Sequence, residues 1–391
     1  MRLHRNKLDR KGPTMVTTQN PRAELRHLQR RDSPAPKRTG LTVSNMNALI
    51  YEDTEYRNQL LTDLSGRDQH DYYFGSYSSF HIHEEMLKDS VRTRTYQRAI
   101  EDNPEDFKDK IVLDIGCGTG ILSIFAARAG AKHVYAVENA EIAIFAKEIV
   151  KRNGLESKIT ILKGKMEEVK LPVEKVDIII SEWMGYFLLY ESMLDCVLWA
   201  RDKYLAKGGK MLPDRAQIFI AAIEDGQYKE QKKRFWTDVY GVDMSVMTPT
   251  VMKEPLVDVV NSDMLMSDSC KVLDLDLVTM KKEDVNFSNN YRLRMNYNDR
   301  VHGLIAWFDT PFTRLTRPNL LSTSPFKKYT HWKQTVFYTE HDIDVRQGDI
   351  LFGSIAVRQS KTNFRELDIK ISYHIDTPLQ KKEFVNMYKL K

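Results

Sequence analysis

Apolar residues follow two rhythms along this chain, and the change falls near Pro213. Between 111 and 212, short unbroken apolar runs alternate with stretches of helical spacing. Ile111-Val112-Leu113-Asp114, His133–Glu138, 159–162 and Val176–Ile180 read as strands; 121–129, 141–152 and 189–205 read as helices, the last stopped by Lys207-Gly208-Gly209-Lys210. Upstream, 83–100 reads as one helix, with Met86, Leu87 and Val91 on one side and Asn103-Pro104-Glu105 as its break. Strands with no polar face, alternating with helices, predict a parallel sheet covered on both faces.

After Pro213 the segments 218–221, 291–309, 333–339, 350–358 and 367–375 read as strands, several with period-two alternation, separated by turns such as Gln347-Gly348-Asp349. One helical insertion over about 228–240 interrupts them. The expected fold class is α/β followed by a mostly antiparallel sheet or barrel. The expected division is a tail over 1–50, a first domain over 51–212 and a second over 213–391.

Composition narrows the classes. In 391 residues, 42% hydrophobic content supplies a sizeable core and excludes global disorder. No run approaches the ~20 apolar residues of a membrane span, and the start is too basic and polar for a secretory signal. Three cysteines, Cys117, Cys196 and Cys270, exclude a disulfide framework and most structural zinc modules, and fit a reducing compartment. The net charge of +5 is uneven: residues 1–50 hold 11 Lys+Arg and 3 Asp+Glu, leaving 48 against 51 in the rest. The folded part is therefore slightly acidic and suited to a cationic ligand. The basic tail, too poor in apolar residues to fold, can contact RNA, acidic lipid or an acidic partner.

Leu113-Asp114-Ile115-Gly116-Cys117-Gly118-Thr119-Gly120 joins a strand to a helix, and Glu138 ends the next strand. Glycines let a backbone turn tightly against a ligand, and a carboxylate at that strand end can accept both ribose hydroxyls of a nucleoside. A dinucleotide fingerprint needs G-x-G-x-x-G, whereas the third glycine here follows the second by two. Asp-x-Gly-x-Gly-x-Gly resembles the pattern of S-adenosylmethionine-dependent methyltransferases. Cys117 reads as a packing residue. In Ile180-Ser181-Glu182-Trp183-Met184-Gly185-Tyr186-Phe187-Leu188-Leu189-Tyr190-Glu191-Ser192-Met193, two carboxylates lie on one reversing loop among aromatics. They repel unless a cation sits between them; a guanidinium would keep both ionised through paired N–H···O bonds.

This loop resembles the double-glutamate loop of the protein arginine methyltransferases, most closely the type I enzymes. Thr330-His331-Trp332 is similar to their Thr-His-Trp loop. Tyr73-Phe74-x-x-Tyr77 and His83-Glu84-Glu85-Met86-Leu87-x-Asp89-x-x-Arg92 are similar to their N-terminal motif. The resemblance covers about 68–391. It implies a Rossmann-like S-adenosylmethionine-dependent domain, then a β-barrel with a helical dimerisation arm, here about 226–250. His83, Arg92, Asp114, Gly116, Gly118, Glu138, Met166 and Glu167 would bind the cofactor S-adenosyl-L-methionine, leaving S-adenosyl-L-homocysteine as product. Glu182 and Glu191 would clamp the substrate guanidinium, and His331 would pair with Asp89 to hold the site or accept a proton. Tyr77, Met86, Met193, Tyr186 and Trp332 would line the substrate pocket, with Met86 favouring the asymmetric product. It further implies Arg/Gly-rich RNA-binding proteins and histone tails as substrates, a homodimer or higher oligomer, and a cytoplasmic and nuclear location.

Overall fold

The structure, a computed structural model, describes residues 79–377 and 380–391. The tail over 1–50 and the aromatic motif containing Tyr77 lie outside them.

The expected helix over 83–100 is two helices, α1 (Phe80–Lys88) and α2 (Ser90–Glu101). Asp89 separates them with extended backbone, and its Oδ1 accepts from the amides of Val91 at 3.1 Å and Arg92 at 3.0 Å. That is an N-cap, a local signal that apolar spacing does not carry. After the short α3 (Pro104–Phe107) come β1 (Ile111–Ile115), α4 (Ile121–Arg128), β2 (His133–Glu138), α5 (Ile142–Arg152), β3 (Ile159–Lys163), β4 (Val176–Ile180), α6 (Leu194–Tyr204) and β5 (Leu205–Leu212). The strands are all parallel, in the order β3-β2-β1-β4-β5. The unbroken run Ile178–Ile180 is buried on both faces.

Two boundaries differ from expectation. The helix expected from 189 begins at Leu194, because Phe187, Leu188, Glu191 and Ser192 have φ of 51°, 65°, 77° and 58°. Left-handed residues cannot continue a right-handed helix. Lys207–Lys210 are not a helix stop but the middle of β5, with Lys210 paired to Ile178.

The second half contains β6 (Arg215–Ile223), α7 (Gly226–Phe235), α8 (Thr248–Val251), β7 (Leu256–Asp258), β8 (Cys270–Asp276), β9 (Phe287–Arg294), β10 (Asp299–Phe312), β11 (Asn319–Ser322), β12 (Gln334–Val345), β13 (Ile350–Gln359), β14 (Leu367–Thr377) and β15 (Gln380–Leu390). They form two antiparallel sheets, β7-β12-β10-β6-β8 with β11 on β10, and β15-β14-β13-β9. Asn289 of β9 donates to the Val272 carbonyl of β8, and the Tyr388 hydroxyl of β15 to the Tyr338 carbonyl of β12, both at 2.8 Å. These ties make one barrel-like body. The expected strand over 291–309 is two strands, β9 and β10, broken at 295–298. The edge strand β15 was not expected: it opens with charge and breaks strict alternation, as edge strands do.

The barrel docks on the helical layer through polar bonds. Asn103 accepts from the Arg317 amide at 2.6 Å and Asp106 from the Thr316 amide at 2.8 Å, while Lys210 of β5 also donates to Asp106 at 2.6 Å. Beneath them Tyr96, Ile100 and Phe107 are wholly buried, each worth about 1.5–3 kcal/mol. The segment after β6 projects α7 and α8. Phe235, Tyr240, Val242 and Val246 on it are exposed, as is Tyr228 at its root, which stacks on Tyr338 with ring centroids 6.0 Å apart.

Candidate active site

Strand order reverses between β1 and β4, and the loops leaving their carboxyl ends diverge there. Such a switch point opens a crevice in open α/β sheets. Here it holds a cavity of about 890 Å³. The glycine loop follows β1, Glu138 ends β2, and Glu182 follows β4, so all three reach the same rim.

Gly116 has φ +69°, and a Cβ there would stand 2.3 Å from the Met193 methyl. Its amide and that of Cys117 donate to the Val137 carbonyl at 2.9 and 3.1 Å, fixing the turn. Glu138 braces the same loop: Oε2 accepts from the Gly118 amide at 2.9 Å and Oε1 from the Ala140 amide at 2.8 Å. The buried His83 ring packs over Gly118. Asp114, expected to bind the cofactor, is instead wholly buried behind the loop and does not line the cavity. Its Oδ2 accepts from Ser123 at 2.7 Å, and Oδ1 has no hydrogen-bond partner among the described residues. Burial raises its carboxyl to about 7, and the Ser123 bond only partly opposes that. Burial likewise pushes the Cys117 thiol well up, which suits packing and not nucleophilic chemistry. Met166 and Glu167 also line the cavity, the latter beside Cys196.

The two glutamates are held by different parts of the molecule. Glu182 accepts from Arg92 Nε at 2.8 Å, with the two side chains 7% and 8% exposed. Glu191 sits in left-handed backbone that the barrel secures. Its amide donates to the Arg365 carbonyl at 2.9 Å and its carbonyl accepts from Arg365 Nη1 at 2.7 Å. Ser192 Oγ donates to the Phe364 carbonyl at 2.6 Å and accepts from Gln359 at 2.9 Å. Between the glutamates, a Cβ on Gly185 would lie 2.0 Å from the Tyr190 carbonyl oxygen, so only glycine fits that close approach.

Asp89 serves two elements. Beyond capping α2, its Oδ2 accepts from His331 Nδ1 at 2.7 Å and from the His331 amide at 2.9 Å. A carboxylate only accepts, so Nδ1 carries a proton and Nε2 is left to act elsewhere. Burial works to raise the Asp89 carboxyl, but the His331 and Arg92 bonds outweigh it and hold the group below the usual range. Trp332, expected to line the substrate pocket, does line the cavity while largely buried; its Nε1 donates to the Met184 carbonyl at 2.8 Å and props the glutamate loop. Met193 lies over Gly116, on the cofactor side of the space. Met86 lines the cavity, and Tyr186 stands at its rim, stacked on Tyr190.

Asn363, Phe364 and Arg365 also line the cavity, and no motif pointed to them. They sit in a polar turn between β13 and β14, where only the Phe-Arg pair stands out. A nucleoside sulfonium fits this set: Glu138 for ribose hydroxyls, Arg92 for a carboxylate, and the bare backbone of Gly116 for close approach. Fold and site together define a methyltransferase of the α/β class.

Residues 214–378 match the family described as Arginine methyltransferase oligomerization subdomain, and 93–190 match Ribosomal protein L11 methyltransferase. Protein arginine N-methyltransferase 1 of Schizosaccharomyces pombe is 59% identical over 79% of this chain and 91% of its own length. That of Chlamydomonas reinhardtii is 53% identical over 83% and 94%. The Trypanosoma brucei PRMT1 enzyme-prozyme heterotetrameric complex with AdoHcy superposes with a TM-score of 0.79 at 43% identity, covering 81% of this chain and 100% of that one. Arabidopsis thaliana protein arginine methyltransferase 10 gives 0.75 at 32% identity, covering 82% and 100%. The chain belongs to the protein arginine N-methyltransferase family.

Proposed function

We infer that this chain transfers methyl groups from S-adenosylmethionine to the guanidinium nitrogens of arginine in flexible Arg/Gly-rich proteins and histone tails, giving monomethyl and asymmetric dimethylarginine. The observation that carries the reading is Glu182, a buried carboxylate at the switch point that already holds a guanidinium, that of Arg92. Glu191 stands on the same loop, in reach of the same cavity.

Bound S-adenosylmethionine supplies a methyl group on a sulfonium, the electrophile. The protein does the rest by placement and charge. Glu182 and Glu191 hold the substrate cation and draw its positive charge toward the bonded nitrogens, leaving another nitrogen richer in electrons. In-line positioning against Gly116 and Met193 contributes several kcal/mol more. No strong base is needed first, because the nitrogen becomes more acidic as the methyl arrives. Asp89 sets the His331 tautomer, so Nε2 is available to a proton leaving by way of Glu191, His331 or water.

The match to an oligomerization subdomain supports an oligomer; the arrangement we propose is a homodimer or higher oligomer in which a second copy covers the exposed Phe235, Tyr240 and Val246. Cytoplasm and nucleus are the compartments that hold such substrates. The test is incubation of the full chain with S-adenosylmethionine and a Gly-Arg-Gly-rich peptide, followed by mass spectrometry and amino-acid analysis. Asymmetric dimethylarginine is expected, and Glu182→Gln abolishes it while AdoHcy still binds. A symmetric product overturns the role of Met86, and full turnover by Glu182→Gln overturns the clamp.

A further inference from the structure

We propose that Arg92 is an internal competitor of the substrate guanidinium at Glu182, and that the carboxylate of the cofactor relieves the competition. Cofactor binding then switches the glutamate clamp on. The proposal rests on the reading of Glu182 as a substrate ligand.

The geometry divides the Arg92 guanidinium in two. One edge is committed: Nε donates to Glu182 Oε2 at 2.8 Å, inside the fold. The fork is weakly engaged: Nη1 reaches the Met86 carbonyl at 3.4 Å, the outer limit of a hydrogen bond, and Nη2 has no bond among the described residues. Arg92 and Glu182 both line the cavity. Its helix is fixed by the Asp89 cap, which bonds the Arg92 amide itself, so the guanidinium swings from an anchored base.

Charge makes the consequence. With Arg92 against it, Glu182 is neutralised, and a second guanidinium meets a cation beside its carboxylate. An anion on the Arg92 fork takes up that positive charge and returns Glu182 its own. The two ligands therefore help each other, by the same factor in either order. AdoHcy keeps the carboxylate, so the effect is measurable without turnover.

The experiment titrates a Gly-Arg-Gly-rich peptide into the full-length protein alone, with saturating AdoHcy, and with saturating decarboxylated AdoHcy, which lacks only the carboxylate. AdoHcy should tighten the peptide roughly tenfold, and the decarboxylated form should leave its affinity nearly unchanged. Arg92→Met, checked for folding by circular dichroism, should bind peptide more tightly than wild type without any cofactor, and gain nothing from AdoHcy. Equal tightening by both cofactor forms in the wild type would overturn the proposal, because loop ordering would then suffice. Weaker peptide binding by Arg92→Met without cofactor would also overturn it, since Arg92 would then position Glu182 and not compete for it. No peptide binding in any state, with AdoHcy binding intact, would remove the substrate reading and the proposal together.

Discussion

Gly185→Ala is the sharpest test of how the clamp is built. The added methyl would sit 2.0 Å from the Tyr190 carbonyl oxygen and 2.8 Å from its carbon. Both atoms are backbone, so no side chain can swing away. Reaching ordinary contact takes more than about 1 Å of separation between the two arms of the loop, and Glu182 and Glu191 lie at their ends. A shift of about 1 Å at reacting groups costs on the order of 100-fold in rate, or about 2.7 kcal/mol. Overpacking adds about 1–3 kcal/mol of destabilisation, a loss of a few degrees in Tm. The glycine loop after β1 is on a different strand, so AdoHcy affinity should hold. The assay pairs kcat/KM on an arginine peptide with AdoHcy titration by calorimetry. Turnover within about threefold of wild type would refute the rigid-loop account, as would parallel loss of AdoHcy affinity.

Further outcomes follow from the contacts at Asp89, Asp114 and Trp332. Asp89→Ala should cost about 1 kcal/mol for the cap and about 2 for the His331 bonds, while Asp89→Asn recovers the cap; urea melts separate the two. Because the Asp89 carboxyl is held low, its stabilisation is present above the usual carboxylate range and lost as pH falls through the depressed value, so the gap between wild type and Asp89→Asn should close in acid. Asp114 has the opposite sign: a carboxyl raised to about 7 stabilises below its ordinary range and loses that contribution as pH rises toward 7. Asp114→Asn cannot ionise, and its stability relative to wild type should climb between pH 4 and pH 8; a flat difference would show that Asp114 does not titrate there. Trp332→Phe keeps an aromatic side chain but loses the indole N–H and part of the buried volume, stranding the Met184 carbonyl at about 1–3 kcal/mol on top of the cavity left behind; turnover should fall while AdoHcy affinity stays, and unchanged turnover would mean that the prop is dispensable.

What could be read from sequence was whatever the chain states locally. Continuous apolar runs announced β1 to β4, and an acid at a strand end marked Glu138. Two carboxylates in one aromatic loop announced a cation site. Distant pairings are not written in local pattern: the pairing of Asp89 with His331 comes only through the family resemblance, and Arg92 meets Glu182 across 90 residues with nothing about either naming the other. The 83–100 pattern reads as one helix straight across Asp89, because the N-cap that divides it is a polar signal that apolar spacing does not carry. Asp114 was misplaced for a related reason, since the pattern marks the strand end but not which way its side chain faces. Residues 359–366 look like any polar turn, and their value lies wholly in where the barrel sets them.

That placement has a consequence for inheritance and for engineering. The loop bearing Glu191 is bonded at Arg365, Phe364 and Gln359, and propped by Trp332, all supplied by the barrel. The catalytic grip is thus co-owned by two subfolds. A chimera that joined this cofactor domain to a relative's barrel would inherit the glycine loop intact but its glutamate geometry from the donor. Swaps should succeed only when the turn between β13 and β14 and the His331-Trp332 pair travel with the loop they brace.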